Sequence, residues 1–412
     1  MEARRFPELL LAGDPAYEIV RRPQIPLAAE VRPVAITRCR TAAEVAEAIA
    51  YARGRGAGLA IRSGGHCFAG RSSTTGVLID VSPLNAVSLD GDVVTVGAGA
   101  KLGAIYDALE PHRVTIAGGC GPTVGIAGLA LGGGLGILGR RHGLTCDQVI
   151  AAEVVLADGS IVTAGDDLLW ALLGAGGGQL AVVTSLTLRT VPAPRTICFH
   201  ARRPHAEAAE LIAAWQAWAP DAPASVAASL LVNPSGVHLF GAAAPGDALL
   251  GGVAPDVIEL PYRDAKRWLA ENGPGEGDGA PFASRSEYFD ANLPEDAIRE
   301  LVEHFALGGP QRELDFNPLG GAYNDRAPDA TAFPHRSARF LLKHTAGVGE
   351  REWLRQSYEI THAHGTGGAY VNFPDPDLED PLTAYHGENL ARLRAVKARY
   401  DPDGVFGFPQ SL

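Results

Sequence analysis

The sequence predicts an α+β chain in two lobes, the second built on an antiparallel sheet backed by helices. Three observations carry that expectation. Residues 118–136 interleave glycine with Val, Ile and Leu, too apolar for a solvated linker and too glycine-rich for a helix. Hairpin-like segments surround this run up to about residue 195, whereas from 196 onward amphipathic helices alternate with paired strand segments. From 369 the chain changes again, through Tyr370-Val-Asn-Phe373 and a last helix, and is expected to return to the first lobe.

Composition narrows the function. A chain of 412 residues, 46% hydrophobic and 20% charged, can bury a sizeable core. A net charge of −12 lacks the basic field that nucleic acid requires. No N-terminal segment reads as a leader, and no apolar run reaches the ~18 residues of a membrane span. A cytoplasmic protein acting on a small molecule, as monomer or homodimer, is expected. The five cysteines (Cys39, Cys67, Cys120, Cys146, Cys198) have neither zinc spacing nor a disulfide framework, so no metal is expected. Lysine occurs only at Lys101, Lys266, Lys343 and Lys397.

Taken in order, the first 35 residues are weakly patterned. Thr41-Ala-Ala-Glu44 is a capping box opening a helix with Val45, Ala48, Ile49 and Ala52 on one face, ending near Gly54. Leu59-Ala-Ile61 is a short strand running into Arg62-Ser-Gly-Gly-His66, and Val77–Val81 is another. Asp90-Gly91 and Asp158-Gly159 each sit between short apolar segments and predict hairpins. Lys101–Leu109 reads as a helix; a second glycine cluster spans 174–178, and Val182–Leu188 is a strong strand. In the second half His205–Trp218, Pro294–Phe305 and Glu350–His362 read as helices. Ser225–Val232 and Val237–Ala242 form a hairpin pattern, Ser337–Lys343 a strand, and 271–281 an exposed Gly/Pro/acidic loop. Glu388–Arg399 reads as the final helix.

The glycine run is the first chemical signal. Glycine lets the backbone approach a ligand closely, and successive unhindered N–H groups cradle phosphate oxygens. A dinucleotide lying along the run is therefore expected. Gly134-Leu-Gly-Ile-Leu-Gly139 matches G-x-G-x-x-G, but no clean strand precedes it and too few residues follow, so a nicotinamide Rossmann unit is set aside. Taken alone, His66 reads as a histidine satisfying a turn, and Cys146 as a small buried hydrophobe.

Together, these elements closely resemble the berberine bridge enzyme-like flavoproteins of the vanillyl-alcohol oxidase superfamily. The likeness runs through Ser63-Gly-Gly-His66, Gly121-Pro-Thr-Val-Gly125, Gly132-Gly-Gly-Leu-Gly136, Arg141-His-Gly-Leu-Thr-Cys146, Ala157-Asp-Gly159, Trp170-Ala-Leu172, Ala332-Phe-Pro-His-Arg336, Tyr370-Val-Asn372 and Asp401-Pro-Asp-Gly-Val-Phe406. It implies a bilobal flavoprotein. Residues 1–195, with 369–412 returning to them, form a two-subdomain FAD-binding domain, and 196–368 form the substrate domain. It further implies bicovalent FAD, bonded through His66 and Cys146. Around it would lie Arg62, Ser63, Gly64, Gly65, Gly70, Gly121, Pro122, Thr123, Val124, Gly125, Gly128, Gly132, Gly133, Gly136, Val183, Tyr370 and Asn372.

The resemblance implies an oxidase: hydride passes from a substrate C–H to the flavin, and O2 reoxidises it to give H2O2. The small Val124 fits the place that gates oxygen. Four positions depart from the family pattern: Leu173, Leu180-Ala181, and Phe373 where alcohol oxidases of the family carry a tyrosine base. Phenylalanine cannot accept a proton, so the base is expected at Tyr370 first, then Tyr323, Asp325 or Tyr385. The rival reading is a flavin-scaffold protein that sequesters a small molecule such as a drug.

Overall fold

The computed structural model describes residues 6–273 and 281–412. The predicted loop at 271–281 lies mostly outside them.

Near the N-terminus Val77–Asp80 lies between Ala35–Arg38 and Leu59–Arg62, parallel to both, with Glu8–Leu10 antiparallel at one edge. Parallel neighbours need a crossover, and the helix Ala42–Gly54 provides one. Thr41 Oγ1 accepts from the Glu44 N–H at 3.1 Å, as predicted, while the Glu44 carboxylate accepts from Arg40 N–H at 2.6 Å rather than from Thr41. The buried face holds the four predicted residues Val45, Ala48, Ile49 and Ala52.

The second sheet is antiparallel. Val182–Arg189 runs between Val93–Gly97 and Val149–Val155, with Val87–Asp90 and Ile161–Thr163 outermost. Both hairpins fall at the predicted Asp-Gly pairs, with Gly91 at φ +60° and Gly159 at φ +88°, values that favour glycine.

The third sheet has seven antiparallel strands, ordered Asp256–Pro261, Arg195–Arg203, Gly236–Ala243, Ala227–Asn233, Glu313–Pro318, Phe340–Gly347, Phe282–Phe289. Alternation sorts its faces. Leu230, Leu314, Phe316 and Leu342 point to the helices Ala208–Trp218, Glu295–Phe305 and Arg351–His362 and share a core with them. The other face looks toward the first half of the chain. The predicted strand at Ser337 begins only at Phe340. The Arg336 guanidinium is locked onto Asp147 at 2.8 and 2.9 Å, and the chain reaches the sheet after that anchor.

Two further buried cations join the halves. The Arg140 guanidinium donates to the carbonyls of Pro220, Ala222, Pro223, Val226 and Leu319 at 2.6–3.3 Å. Lys266, on the helix Tyr262–Asn272, donates to the Gly118 and Gly119 carbonyls at 2.5 and 3.1 Å. The tail, through Tyr370, Leu393, Val396 and Phe406, belongs to the core built by the first half. Among the described residues no helix is long and apolar enough to cross a membrane.

Candidate functional site

A cavity of about 580 Å³ lies between the first half and the open face of the seven-stranded sheet, a size that suits a cofactor or small molecule. One wall is backbone. The loop Ser63-Gly-Gly-His66 meets Gly121 and Val124-Gly125, and Gly128 follows one helical turn on. The need for glycine here is steric. A Cβ on Gly125 would sit 2.1 Å from Ser63 Oγ and 2.4 Å from Gly64 N, and one on Gly64 would sit 2.3 Å from Gly125 N. A Cβ on Gly128 would enter open space, so backbone faces the cavity there. Gly176–Gly178 and Val183 continue the wall. Two bare backbone loops pressed together beside the cavity fit the pyrophosphate of a dinucleotide such as FAD.

His66 stands on this wall, and its Nε2 lies 3.0 Å from Thr123 Oγ1, which fixes the ring. Ser63 Oγ donates to Ala98 O at 2.6 Å and so ties the His66 loop to the second sheet. Tyr370, Asn372 and Phe373 enter from the tail. The Tyr370 hydroxyl accepts from Gly134 N–H at 2.9 Å and from Asn372 Nδ2 at 3.1 Å. Burial pushes its pKa up to about 12, against the help of those two donors. Phe373 stacks on Phe68 at 5.5 Å between centroids and 11° between planes. The opposite wall is the sheet: Leu231, Phe240, Glu313, Asp315 and Lys343.

Several expected site residues lie elsewhere. Cys146 is fully enclosed and does not reach the cavity. Its N–H donates to Gly133 O at 2.8 Å, its sulfur lies 3.8 Å from Asp147 Oδ1, and burial raises its thiol pKa. This corrects the expectation of Cys146 as a flavin tether: a neutral thiol walled off behind the glycine run cannot bond to a ligand in the cavity. Two thiols do line the cavity, Cys67 on the His66 loop and Cys120 beside Gly121, the latter 3.7 Å from Lys266 Nζ.

The second half of the glycine run is also displaced from its expected role. A Cβ on Gly132 would strike the Asn372 side chain, one on Gly133 would press on Phe333, and one on Gly136 would strike Gly118 O. These glycines allow close packing behind the wall. Arg62 is buried and donates to the carbonyls of Val20, Arg21 and Ser72, which pins the N-terminal segment. Gly70 turns the loop at φ +66° against Ala28, and Pro122 and Thr123 stand behind Gly121 and Val124. Tyr323 is likewise structural: its hydroxyl donates to Gly136 O at 3.0 Å and accepts from Gly136 N–H at 3.1 Å. Asp325 is exposed, and Tyr385 accepts from Asp375 N–H at 3.0 Å, both away from the cavity.

Sequence reasoning missed the charged wall. The available signals were Glu313 and Asp315 alternating with Leu314 and Phe316, and the scarcity of lysine. Three of the four lysines are spent inside the protein: Lys266 on the glycine run, Lys343 on the sheet, and Lys397 on Asp401 and the Gln179 carbonyl.

Comparison with known proteins agrees with this geometry. Residues 33–165 match the family described as FAD binding domain, and residues 369–412 the family described as berberine and berberine like. The FAD-linked oxidoreductase YgaK of Bacillus subtilis is 31% identical over 98% of this chain and 96% of its own length. Chitooligosaccharide oxidase of Gibberella zeae is 28% identical over 92% of this chain and 87% of its own. Among solved structures, BBE-like 1 of Physcomitrella patens superposes with a TM-score of 0.90 at 28% identity, covering 98% of this chain and 96% of that one.

Proposed function

The chain belongs to the berberine bridge enzyme-like FAD-linked oxidoreductases, and from that premise we propose that it is an oxidase carrying FAD covalently through His66. The observation that carries the reading is the placement of His66 on the cavity wall, beside the paired glycine loops and held by Thr123. FAD, when bound, accepts hydride from a substrate carbon and returns the electrons to O2 as H2O2.

The protein's part is to hold and to exclude. Gly64, Gly65, Gly121, Gly125 and Gly128 offer bare backbone to the pyrophosphate, with Ser63 bracing the loop. His66 would hold the flavin ring by a covalent bond from its imidazole. Val124, small and half-buried at the cavity edge, leaves room for oxygen. Phe68, Phe240 and Leu231 supply apolar walls against the substrate. The oxidase reading draws support from the named oxidase among its relatives. The sequestration reading is weaker, because charged side chains line the substrate end of the cavity and a passive apolar binder has no use for them.

The test is the flavin itself. Acid-precipitated protein should stay yellow, and tryptic mass mapping should find the flavin on the peptide containing His66. His66→Ala should release FAD into the acid supernatant. The Cys146 peptide should be unmodified, and a second bond, where one forms, should map to Cys120. Colourless precipitate from the wild type would refute covalent attachment.

A further inference from the structure

The glycine run meets the second half of the chain at a pair of nucleophiles. Cys120 is half-buried and lines the cavity next to Gly121. Lys266, on the helix Tyr262–Asn272, is 2% exposed, and its Nζ lies 3.7 Å from Cys120 Sγ. The same nitrogen donates to Gly118 O and Gly119 O and stands 5.2 Å from the centroids of the Tyr106 and Tyr262 rings. Burial lowers the Lys266 pKa, against the help of the Cys120 and Cys198 thiols. A lysine desolvated in this way has its neutral amine within reach and can act as a nucleophile. Cys198 packs into the same cluster but is fully enclosed, with its sulfur 3.8 Å from Ala265 O. Burial raises its thiol pKa to about 12, so it stays protonated and unreactive. Cys120 is thus the sulfur of this cluster that a small molecule in the cavity can reach, and an amine already touches it.

We infer that Cys120 and Lys266 are a modification site: hydrogen peroxide in the cavity drives an S–N bond between them, which staples the glycine run to the helix across from it. Leu269 and Ala270 of that helix also line the cavity, so the staple ties two of its walls. The inference rests on the proposed oxidase chemistry only for the source of the peroxide. The steps balance. The Cys120 thiolate attacks one peroxide oxygen; the S–O bond forms, the O–O bond breaks, and the hydroxide released takes up a proton. Sulfur loses two electrons and becomes a sulfenic acid, and peroxide is reduced to water. The neutral Lys266 amine then attacks that sulfur; the S–N bond forms, the S–O bond breaks, and hydroxyl leaves with an amine proton as a second water. Sulfenic acid is known to condense with nitrogen in this manner, and capture at that stage keeps the sulfur from the irreversible sulfinic and sulfonic acids. A dithiol reverses the bond, restoring thiol and amine as it becomes a disulfide.

The test uses the full-length protein as purified, treated with added hydrogen peroxide, alkylated and digested with trypsin. The peptide 114–140, which holds Cys120, should be joined to 264–267, with cleavage after Lys266 lost. The joined species should weigh two hydrogens less than the sum of its parts, and dithiothreitol should separate them. The staple closes a span of 146 residues, so peroxide should raise the thermal midpoint by about 3 °C and dithiothreitol should return it. Cys120→Ser should abolish the cross-link and the shift. Lys266→Arg keeps a cation for the Gly118 and Gly119 carbonyls but removes the amine, so its Cys120 should run on to the sulfinic acid, two oxygens heavier. The wild-type peptide map needs no variant to fold. A Cys120 that is still alkylated as a free thiol after peroxide would overturn the inference, as would Cys120 joined to Cys67, to Cys198 or to flavin, or unimpeded cleavage after Lys266. Failure of the oxidase reading looks different: a flavin reduced by light that does not reoxidise rapidly in air, whatever added peroxide does to Cys120.

Discussion

Replacing Tyr370 by phenylalanine separates a base from a scaffold. The Tyr370 hydroxyl accepts two N–H groups, and burial lifts its pKa to about 12. At pH 7 such a group is ionised in only about one molecule in 10⁵. A positioned base contributes ~10²–10⁴-fold, and a phenolate so scarce forfeits that advantage. Tyr370→Phe is therefore expected to slow anaerobic flavin reduction by less than ~10-fold with the best compound from a metabolite panel. Its larger effect should be on stability. The Gly134 N–H and the Asn372 amide lose their acceptor, at about 1–3 kcal/mol for each buried group left unsatisfied. Stopped-flow reduction across pH and a denaturant melt of the same preparation measure both. A fall of 10²-fold or more, loss of the ascending pH limb and an unchanged melt would refute the scaffold argument and restore Tyr370 as the base.

Other perturbations have defined outcomes. Val124→Leu should slow reoxidation in air more than substrate reduction; equal slowing of the two half-reactions would remove residue 124 as an oxygen gate. Burial lowers the His344 pKa from 6.5 to about 3, so its contribution is complete above pH 6.5 and is lost as pH falls toward 3. His344→Gln should flatten the loss of stability measured from pH 7 to about 4.5, and an unchanged slope would mean that the ring titrates normally. Arg140→Met strands five carbonyls and should cost about 4 kcal/mol. Spread over 412 residues at ~2.1 cal/mol/K each, that is a fall of about 5 °C in Tm. A calorimetric shift below ~1 °C would show that water replaces the guanidinium.

Local chemistry was the legible part of the fold. The Thr41 cap, the two Asp-Gly hairpins and the helices with a clear apolar face follow from nearest neighbours in sequence. Arg195–Arg203, Asp256–Pro261, Phe282–Phe289 and Glu313–Pro318 were not legible as strands. Their patterns make sense only in the assembled sheet: Glu313–Pro318 meets helices on one face and the cavity on the other, Arg195–Arg203 packs under the helix Tyr262–Asn272, and Asp256–Pro261 is a largely exposed edge. The site divides in the same way. His66, Gly64, Gly125 and Gly128 all line the cavity, and the signal for them was glycine at a turn with a histidine at a strand end. Cys146 misled because spacing along the chain says nothing about which side of the glycine run a thiol occupies. Gly132, Gly133 and Gly136 misled for a related reason: backbone can be bare toward a neighbouring side chain as well as toward a ligand. Glu313, Asp315 and Lys343 converge from adjacent strands, and only the register between those strands brings them together.

The tail's place in the first core has a consequence for the order of assembly. Tyr370, Leu393, Val396 and Phe406 fill the interior around residues that were made some two hundred positions earlier. Lys397 caps the Gln179 and Phe406 carbonyls, and Asn372 reaches the Leu129 carbonyl at 3.0 Å. The seven-stranded sheet, by contrast, draws every strand from one uninterrupted stretch, 195–347. Domains usually mature from the N-terminus during synthesis. Here the core of the first half is complete only when Tyr370, Leu393, Val396 and Phe406 join it, after the whole middle of the chain has been made. The tail also brings Tyr370, Asn372 and Phe373 to the cavity, so a chain ending before residue 369 lacks that part of its lining.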